Sequence, residues 1–408
     1  ILSFDMGGTT AKICLIEDGE PLKARAFEVD RSARFMKGSG LPLRIPVIEM
    51  VEIGAGGGSI AQIDALGRIQ VGPESAGAAP GPACYGLGGE RPTVTEGDVV
   101  LGKIDPARFA GGKIAIEADR AAQALAAHVG EKMSMDSLQA AYGVAEIVDE
   151  NMANAARVHA VERGVAISER TLIAFGGAAP LHAARLAEKL GIRRIVVPAG
   201  AGVGSAIGFL QAPAAYELVR SRYMRLDQLD LEVVNALLDE MSGEATARAR
   251  SARAEQLDET RGAFMRYAGQ GHEIEVALPV RALTRDDGAA LRKAFEAEYG
   301  RLYARHIPDA AIEIMSWRVS VAERAKGRER IAATVVGEAV AAIGSREVFD
   351  AGHGALVPAS VLQREQLAAG NRIGGPALIV EDGTSTFVSS RFEAHVDNGG
   401  ALVLTAKE

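Results

Sequence analysis

The sequence predicts an α/β protein with glycine-rich turns at its strand ends, followed by an α+β segment and a small all-β unit. Three observations predict it. The chain opens with an apolar hairpin broken by "DMGGTT". Residues 171–208 run strand, Gly-Gly turn, helix, strand and small-residue turn, which is the order of a βαβ unit. After residue 213 the chain turns to charged amphipathic helices and alternating strands, and it closes on short strands between turns.

The elements follow in order. "ILSF", the Gly-rich turn, "KICLIE" and "LKARAFEV" read as hairpin strands in residues 1–28, and residues 31–50 as irregular. Residues 51–105 read as turns between short strands, including "VEIGAGGGSIAQID" and "RPTVTEGDVVLG". Apolar spacing of three and four predicts helices over Glu117–Val129 and Asp136–Val161, the second stopped at Gly164. "TLIAF", "LHAARLAEKLG" and "RIVVP" form the strand, helix and strand of the βαβ unit. Leu229–Glu259 is predicted as a long charged amphipathic helix, continuous or in two pieces around Ser242-Gly243. A hairpin "GAFMRYAG"/"HEIEVALPV", a helix "DGAALRKAFEAEYGRLYA" and a strand "IEIMSWRVSVAER" come next. Residues 326–340 read as a linker, so the predicted domains are 1–213, 214–325 and 326–408.

Bulk properties narrow the function classes. A net charge of −8 with interspersed signs argues against a nucleic-acid partner. No apolar run reaches the roughly 18–20 residues of a membrane span. Two cysteines in unrelated contexts, Cys14 and Cys84, fit a reducing compartment, and a cytoplasmic location is expected. The chain opens on Ile1, directly in a strand, and reads as a piece of a longer protein.

The candidate chemistry lies in the glycine turns. In Asp5-Met6-Gly7-Gly8-Thr9-Thr10, two glycines let backbone N–H groups converge on an anion, and the threonines add hydroxyl donors. A carboxylate beside a phosphate makes sense if Mg²⁺ lies between them, usually through water. Asp5 is therefore the candidate metal and catalytic residue. An ordinary tight turn shares the pattern. In "EIGAGGGSIAQID", Gly56, Gly57, Gly58 and Ser59 are the second candidate phosphate loop, with a hinge as the alternative. Gly176 and Gly177, between a strand and a helix, can meet a nucleoside at close range. His182 in the first turn of that helix reads as packed or capping, and the helix terminus should keep it neutral. In the Gly/Pro-rich loop, Cys84 is either structural or a nucleophile; Glu74, Glu96 and Asp98 are candidate metal or base carboxylates. Tyr267, Gln270, His272 and Glu273 surround a hairpin turn read either as solvent-exposed or as facing a partner.

In this order, the segments resemble the hydantoinase A/5-oxoprolinase family. The likeness runs through "FDMGGTTAK", "VEIGAGGGSIAQID", "VGPESAGAAPGPACYGLGG", "PTVTEGDVVLG", "NMANAARVHAVERG" and "LIAFGGAAPLHAARLAEKLG" to "GGPALIVEDGTSTFV". The resemblance implies an actin/hexokinase-like, ribonuclease H-type ATPase lobe. It implies ATP and Mg²⁺, a cyclic amide substrate of hydantoin or 5-oxoproline type, and a hydantoinase B-type subunit in a homo- or hetero-oligomer. Glu52, as a catalytic residue beside Asp5, and the Gly56–Ser59 loop would face the transferred phosphoryl group or the substrate. A kinase-like subunit of an ATP-dependent ketone carboxylase and a non-catalytic nucleotide-binding subunit are the alternatives. The resemblance also implies a first lobe ahead of Ile1, with Asp5–Thr10 opening the second. The rival mapping makes Asp5–Thr10 the first phosphate turn and Glu52–Ser59 the second. The chain departs from the family pattern at Ala179, where glycine is usual, at Glu96, where aspartate is usual, and in "RGVAIS", which lacks an Asp-Pro.

Overall fold

The computed structural model describes residues 1–24, 27–29, 39–43, 47–252, 256–324 and 331–407. Most of the expected irregular stretch 31–50 and the start of the expected linker lie outside them. The chain forms two compact units, residues 1–209 with 331–408, and residues 210–330.

The first unit is built on a nine-stranded sheet. Leu2–Met6 alternates buried Leu2, Phe4 and Met6 with half-exposed Ser3 and Asp5. It pairs antiparallel with Ala11–Glu17 on one side and parallel with Thr171–Phe175 on the other. Thr171–Phe175 in turn pairs parallel with Arg194–Val197. Beyond Ala11–Glu17 lie Met50–Ile53 and the short Glu20–Pro21. The βαβ unit expected at 171–197 is present, and its helix is Ala179–Leu190. This is the α/β lobe the sequence predicts.

The other edge of the sheet comes from the end of the chain. Leu402–Ala406 pairs with Arg194–Val197, and Phe392–Val396 and Arg372–Gly374 follow. Four more strands, Gly344–Asp350, Ala355–Gln363, Ala377–Glu381 and Thr384–Val388, form a separate sheet of the same unit. The predicted strands are thus there, but they share one unit with residues 1–209 instead of closing on themselves. Ile373, Ala377, Phe392 and Leu404 belong to the same apolar cluster as Leu2 and Phe4. Burying these apolar faces together, as part of one core, drives the arrangement.

The helix Ser137–Glu162 spans 26 residues. Asp136 and Gln139 cap it reciprocally, since Gln139 N–H donates to Asp136 Oδ1 at 2.7 Å and Asp136 N–H to Gln139 Oε1 at 3.1 Å. Its alanine-rich face lets it sit close to the sheet and to Ala179–Leu190. The sequence reading missed the helix Val94–Val100. Thr93 and Glu96 form its capping box.

The second unit is a four-stranded antiparallel sheet with Ile312–Glu323 and Leu257–Tyr267 central, Ala215–Arg225 and Ile274–Leu278 outside. Helices Leu231–Ser251 and Asp287–Tyr303 cover it. The predicted helix Leu229–Glu259 ends early. Leu257, Asp258 and Glu259 instead pair with Glu323, Ala322 and Val321, because alternation there favours a strand. Trp317 is fully buried and donates its indole N–H to Arg222 O at 3.1 Å. Tyr267 is also buried, packed edge-on against Phe295, and its hydroxyl accepts from Ile307 N–H. Gln270 donates to Tyr299 Oη at 2.8 Å. These two of the four hairpin residues point into their own unit.

Candidate functional site

The opening turn is closed by Gly7 N–H donating to Thr10 O at 3.1 Å. It lies directly on the second glycine loop. Gly57 N–H donates to Gly7 O at 3.0 Å and Gly58 N–H to Gly8 O at 2.6 Å. A Cβ on Gly56 would stand 2.7 Å from Gly8 C and from Thr9 N, so this close approach requires glycine. The loop is pinned from behind. Ser59, fully buried, accepts from Gly56 N–H at 2.8 Å, and Thr95 donates its hydroxyl to Gly57 O at 2.8 Å.

The third turn meets the first as well. Gly176 has φ +99°, and a Cβ there would fall 2.5 Å from Asp5 Oδ1 and from Met6 O. Ala178 N–H donates to Met6 O at 3.0 Å. Asp5 Oδ2 accepts from Ser205 Oγ at 3.0 Å.

These turns border a cavity of about 780 Å³, within the range of small-molecule sites. Gly7, Gly8, Thr9, Gly57, Gly58 and Gly177 line it. Cβ atoms on Gly7 or Gly8 would meet nothing within 4 Å, so this backbone is open to an incoming group. Asp5, Thr10, Gly56, Ser59 and Gly176 stand behind the wall and shape it. The structure does not bring Glu52 to the cavity. Met50–Ile53 points Ile53 inward and Glu52 outward, where it pairs with Lys12 at 3.7 Å.

The carboxylates divide by role. Glu96 is fully buried and accepts from Cys84 N–H at 2.7 Å, Thr93 N–H at 2.6 Å and Thr93 Oγ1 at 2.6 Å. It is a cap whose oxygens are filled, which corrects its reading as a metal or base residue. The Thr-x-x-Glu spacing of Thr93 and Glu96 was the available signal. Glu74 pairs with Arg91 at the surface. Burial, then the charge of Glu96, pushes the Cys84 thiol far up from its ordinary value, so it is a packed hydrophobe and not a nucleophile.

Asp98 lines the cavity although it is 2% exposed. Its Oδ2 accepts from His182 Nε2 at 3.1 Å, and His182 Nδ1 donates to Asp149 Oδ1 at 2.8 Å. Burial opposes a charge on His182, but Asp98 and Asp149 outweigh it and raise its pKa to about 9. The expectation of a neutral imidazole is therefore overturned. Two buried carboxylates act more strongly on the ring than one helix terminus. Burial also opposes the Asp98 charge, and His182, then Lys103, outweigh it and hold Asp98 below the usual carboxylate range.

Asp98, Asp105, Glu365, Glu381 and Asp382 line the cavity against one guanidinium, Arg108. Arg346 pairs with Asp105 at 2.8 Å from outside the lining. Such a wall takes a polyanion only with a cation beside it. Among the described residues no three His, Cys, Asp or Glu side chains gather as a metal centre. Among the described residues no helix is long and apolar enough to cross a membrane.

Residues 1–218 match the hydantoinase/oxoprolinase family model and residues 230–406 its C-terminal domain model. The chain is 30% identical to caprolactamase subunit alpha of Pseudomonas jessenii over 412 residues, which is 99% of this chain and 58% of that protein. The crystal structure of the ATP-dependent caprolactamase from that organism superposes with TM-score 0.78 at 30% identity, over 100% of this chain and 59% of that one. The nucleotide-free structure of acetone carboxylase, from work on ATP-dependent acetone carboxylation, superposes with TM-score 0.80 at 28% identity, over 100% and 58%. The chain thus spans less than two thirds of the length of these relatives.

Proposed function

Because the chain belongs to the hydantoinase/oxoprolinase family, we propose that it forms the nucleotide-binding part of an ATP-dependent enzyme that activates and hydrolyses a cyclic amide. The observation that carries this reading is the pair of glycine turns. Gly7–Gly8 and Gly57–Gly58 are bonded to each other at the wall of the cavity, and the first pair opens onto empty space. The amides of the exposed Gly8 and Thr9, with the Thr9 hydroxyl, would hold the phosphates, while the Gly7, Gly57 and Gly58 amides hold the two turns together. Gly177 would approach the nucleoside. Asp5, behind the turn, would hold Mg²⁺ through water, and the cation would neutralise charge at the phosphates. Catalysis then rests on positioning and charge stabilisation, as is general for phosphoryl transfer. The caprolactamase likeness supports the amide substrate. A B-type subunit is the proposed partner.

The acetone carboxylase likeness favours a second reading, a subunit that activates a ketone or bicarbonate oxygen. One experiment covers both. The intact natural protein, with its partner subunit where it has one, is assayed for ADP release with a panel of cyclic amides and with ketones plus bicarbonate. Triphosphate affinity is measured for wild type, Gly8→Ala and Asp5→Ala. Gly8→Ala should fold normally and lose most affinity, and Asp5→Ala should lose ATPase activity. Unchanged affinity in Gly8→Ala refutes the phosphate assignment.

A further inference from the structure

Behind the cavity wall, three side chains from distant parts of the chain form one buried line. Asp98 sits on Val94–Val100, His182 on Ala179–Leu190 and Asp149 on Ser137–Glu162. They are 2%, 0% and 1% exposed. His182 bridges the two carboxylates by the bonds given above, and Asp149 Oδ1 ends the line. The far end, Asp98 Oδ1, has no hydrogen-bond partner among the described residues. Lys103 Nζ stands 3.8 Å from it, too far for a hydrogen bond. A buried carboxylate oxygen without a donor is costly, and a catalytic role is one of the few reasons a native structure keeps one. This oxygen belongs to a residue of the cavity wall, one helical turn beyond Thr95, which holds the Gly57 loop.

Resting on the phosphate assignment above, we infer that Asp98 is a catalytic residue that accepts the proton of the phosphoryl acceptor, with His182 and Asp149 as positioning residues. When the acceptor oxygen attacks the terminal phosphorus of the nucleoside triphosphate, an O–P bond forms. The P–O bond to the nucleoside diphosphate breaks, and its electron pair leaves with the diphosphate. The proton released from the acceptor's N–H or O–H goes to Asp98 Oδ1. A carboxylate that orients an acceptor and takes its proton late is a recurrent part of phosphoryl transfer. His182 holds Oδ2, which leaves Oδ1, buried beside the cavity wall, as the oxygen free to take the proton. Asp149 fixes the ring.

The test uses the intact natural protein, with its partner subunit where it has one. Asp98→Asn should melt lower, because the buried His182 loses one of its two carboxylates, yet keep its triphosphate affinity and lose turnover by about 10²- to 10⁴-fold, the usual worth of a general base. Formate should restore part of the turnover of Asp98→Ala. Asp149→Asn, which leaves Asp98 in place, should lower kcat by about 10- to 100-fold with the triphosphate KM unchanged. A readout apart from turnover is the infrared difference spectrum with a cyclic amide and a non-hydrolysable triphosphate. Wild type should show a shifted carboxylate band that is absent from Asp98→Asn. If Asp98→Asn does not fold, the same band decides: present in wild type and altered in Asp149→Asn it supports the assignment, and absent from wild type it overturns it. Asp98→Asn that binds triphosphate and turns over like wild type overturns this inference alone. Wild type that binds no triphosphate overturns the phosphate assignment beneath it.

Discussion

Gly56→Ala tests whether the two phosphate turns are held by direct backbone contact. The added Cβ would lie 2.7 Å from Gly8 C, 2.7 Å from Thr9 N and 2.8 Å from Gly8 O. These are main-chain atoms and cannot rotate away. Reaching an ordinary contact of about 3.5 Å needs a shift of roughly 0.8 Å between the loops. The bonds from Gly57 to Gly7 and from Gly58 to Gly8, at 3.0 and 2.6 Å, span that same gap. Losing both costs about 2 kcal/mol, and overpacking adds about 1–3 kcal/mol. Reduced freedom of the unfolded chain returns about 0.4–1 kcal/mol. A net loss of about 2–5 kcal/mol lowers Tm by roughly 3–8 °C in a unit of this size. Moving the amides apart should also weaken triphosphate binding by at least about tenfold. Scanning calorimetry and titration calorimetry read the two effects. Gly8→Ala is the control, since its Cβ meets nothing within 4 Å and its stability should change by no more than about 0.5 kcal/mol. If Gly56→Ala melts and binds like wild type, the backbone-contact reasoning is wrong.

Three further outcomes are expected. Glu96→Ala removes three bonds to a fully buried carboxylate and should cost about 3–4 kcal/mol in urea unfolding, whereas a change at the surface residue Glu74 should leave the urea midpoint nearly where it is. The raised His182 pKa contributes stability that is complete below its ordinary value of 6.5, so urea midpoints should fall as pH rises from there through about 9. Cys84, fully buried with its thiol pushed up, should resist iodoacetamide in the native protein and react only after unfolding.

Local pattern carried the hairpin, the glycine turns and the long helix. Asp5–Thr10 and Gly176–Gly177 could be picked out because a strand followed by small residues limits what the backbone can do. Glu52 misled because its neighbouring glycines suggested a site, while the alternation of Met50–Ile53 turns it outward. The line of Asp98, His182 and Asp149 was not legible as a unit. Its two links join residues 84 and 33 positions apart, and no local spacing encodes such a meeting. The same holds for the terminal strands, whose short alternating runs fit a self-contained sheet as well as the edge of a larger one.

The pairing of Leu402–Ala406 with Arg194–Val197 sets a schedule for biosynthesis. A ribosome releases residues 1–197 long before the strand that covers their exposed edge exists. At about 5–20 residues per second the gap lasts some tens of seconds, with apolar edge strands waiting unpaired. Nascent chains stalled between residues 197 and 402 should therefore recruit chaperones or aggregate, and strain on late codons should be felt in yield before it is felt in activity.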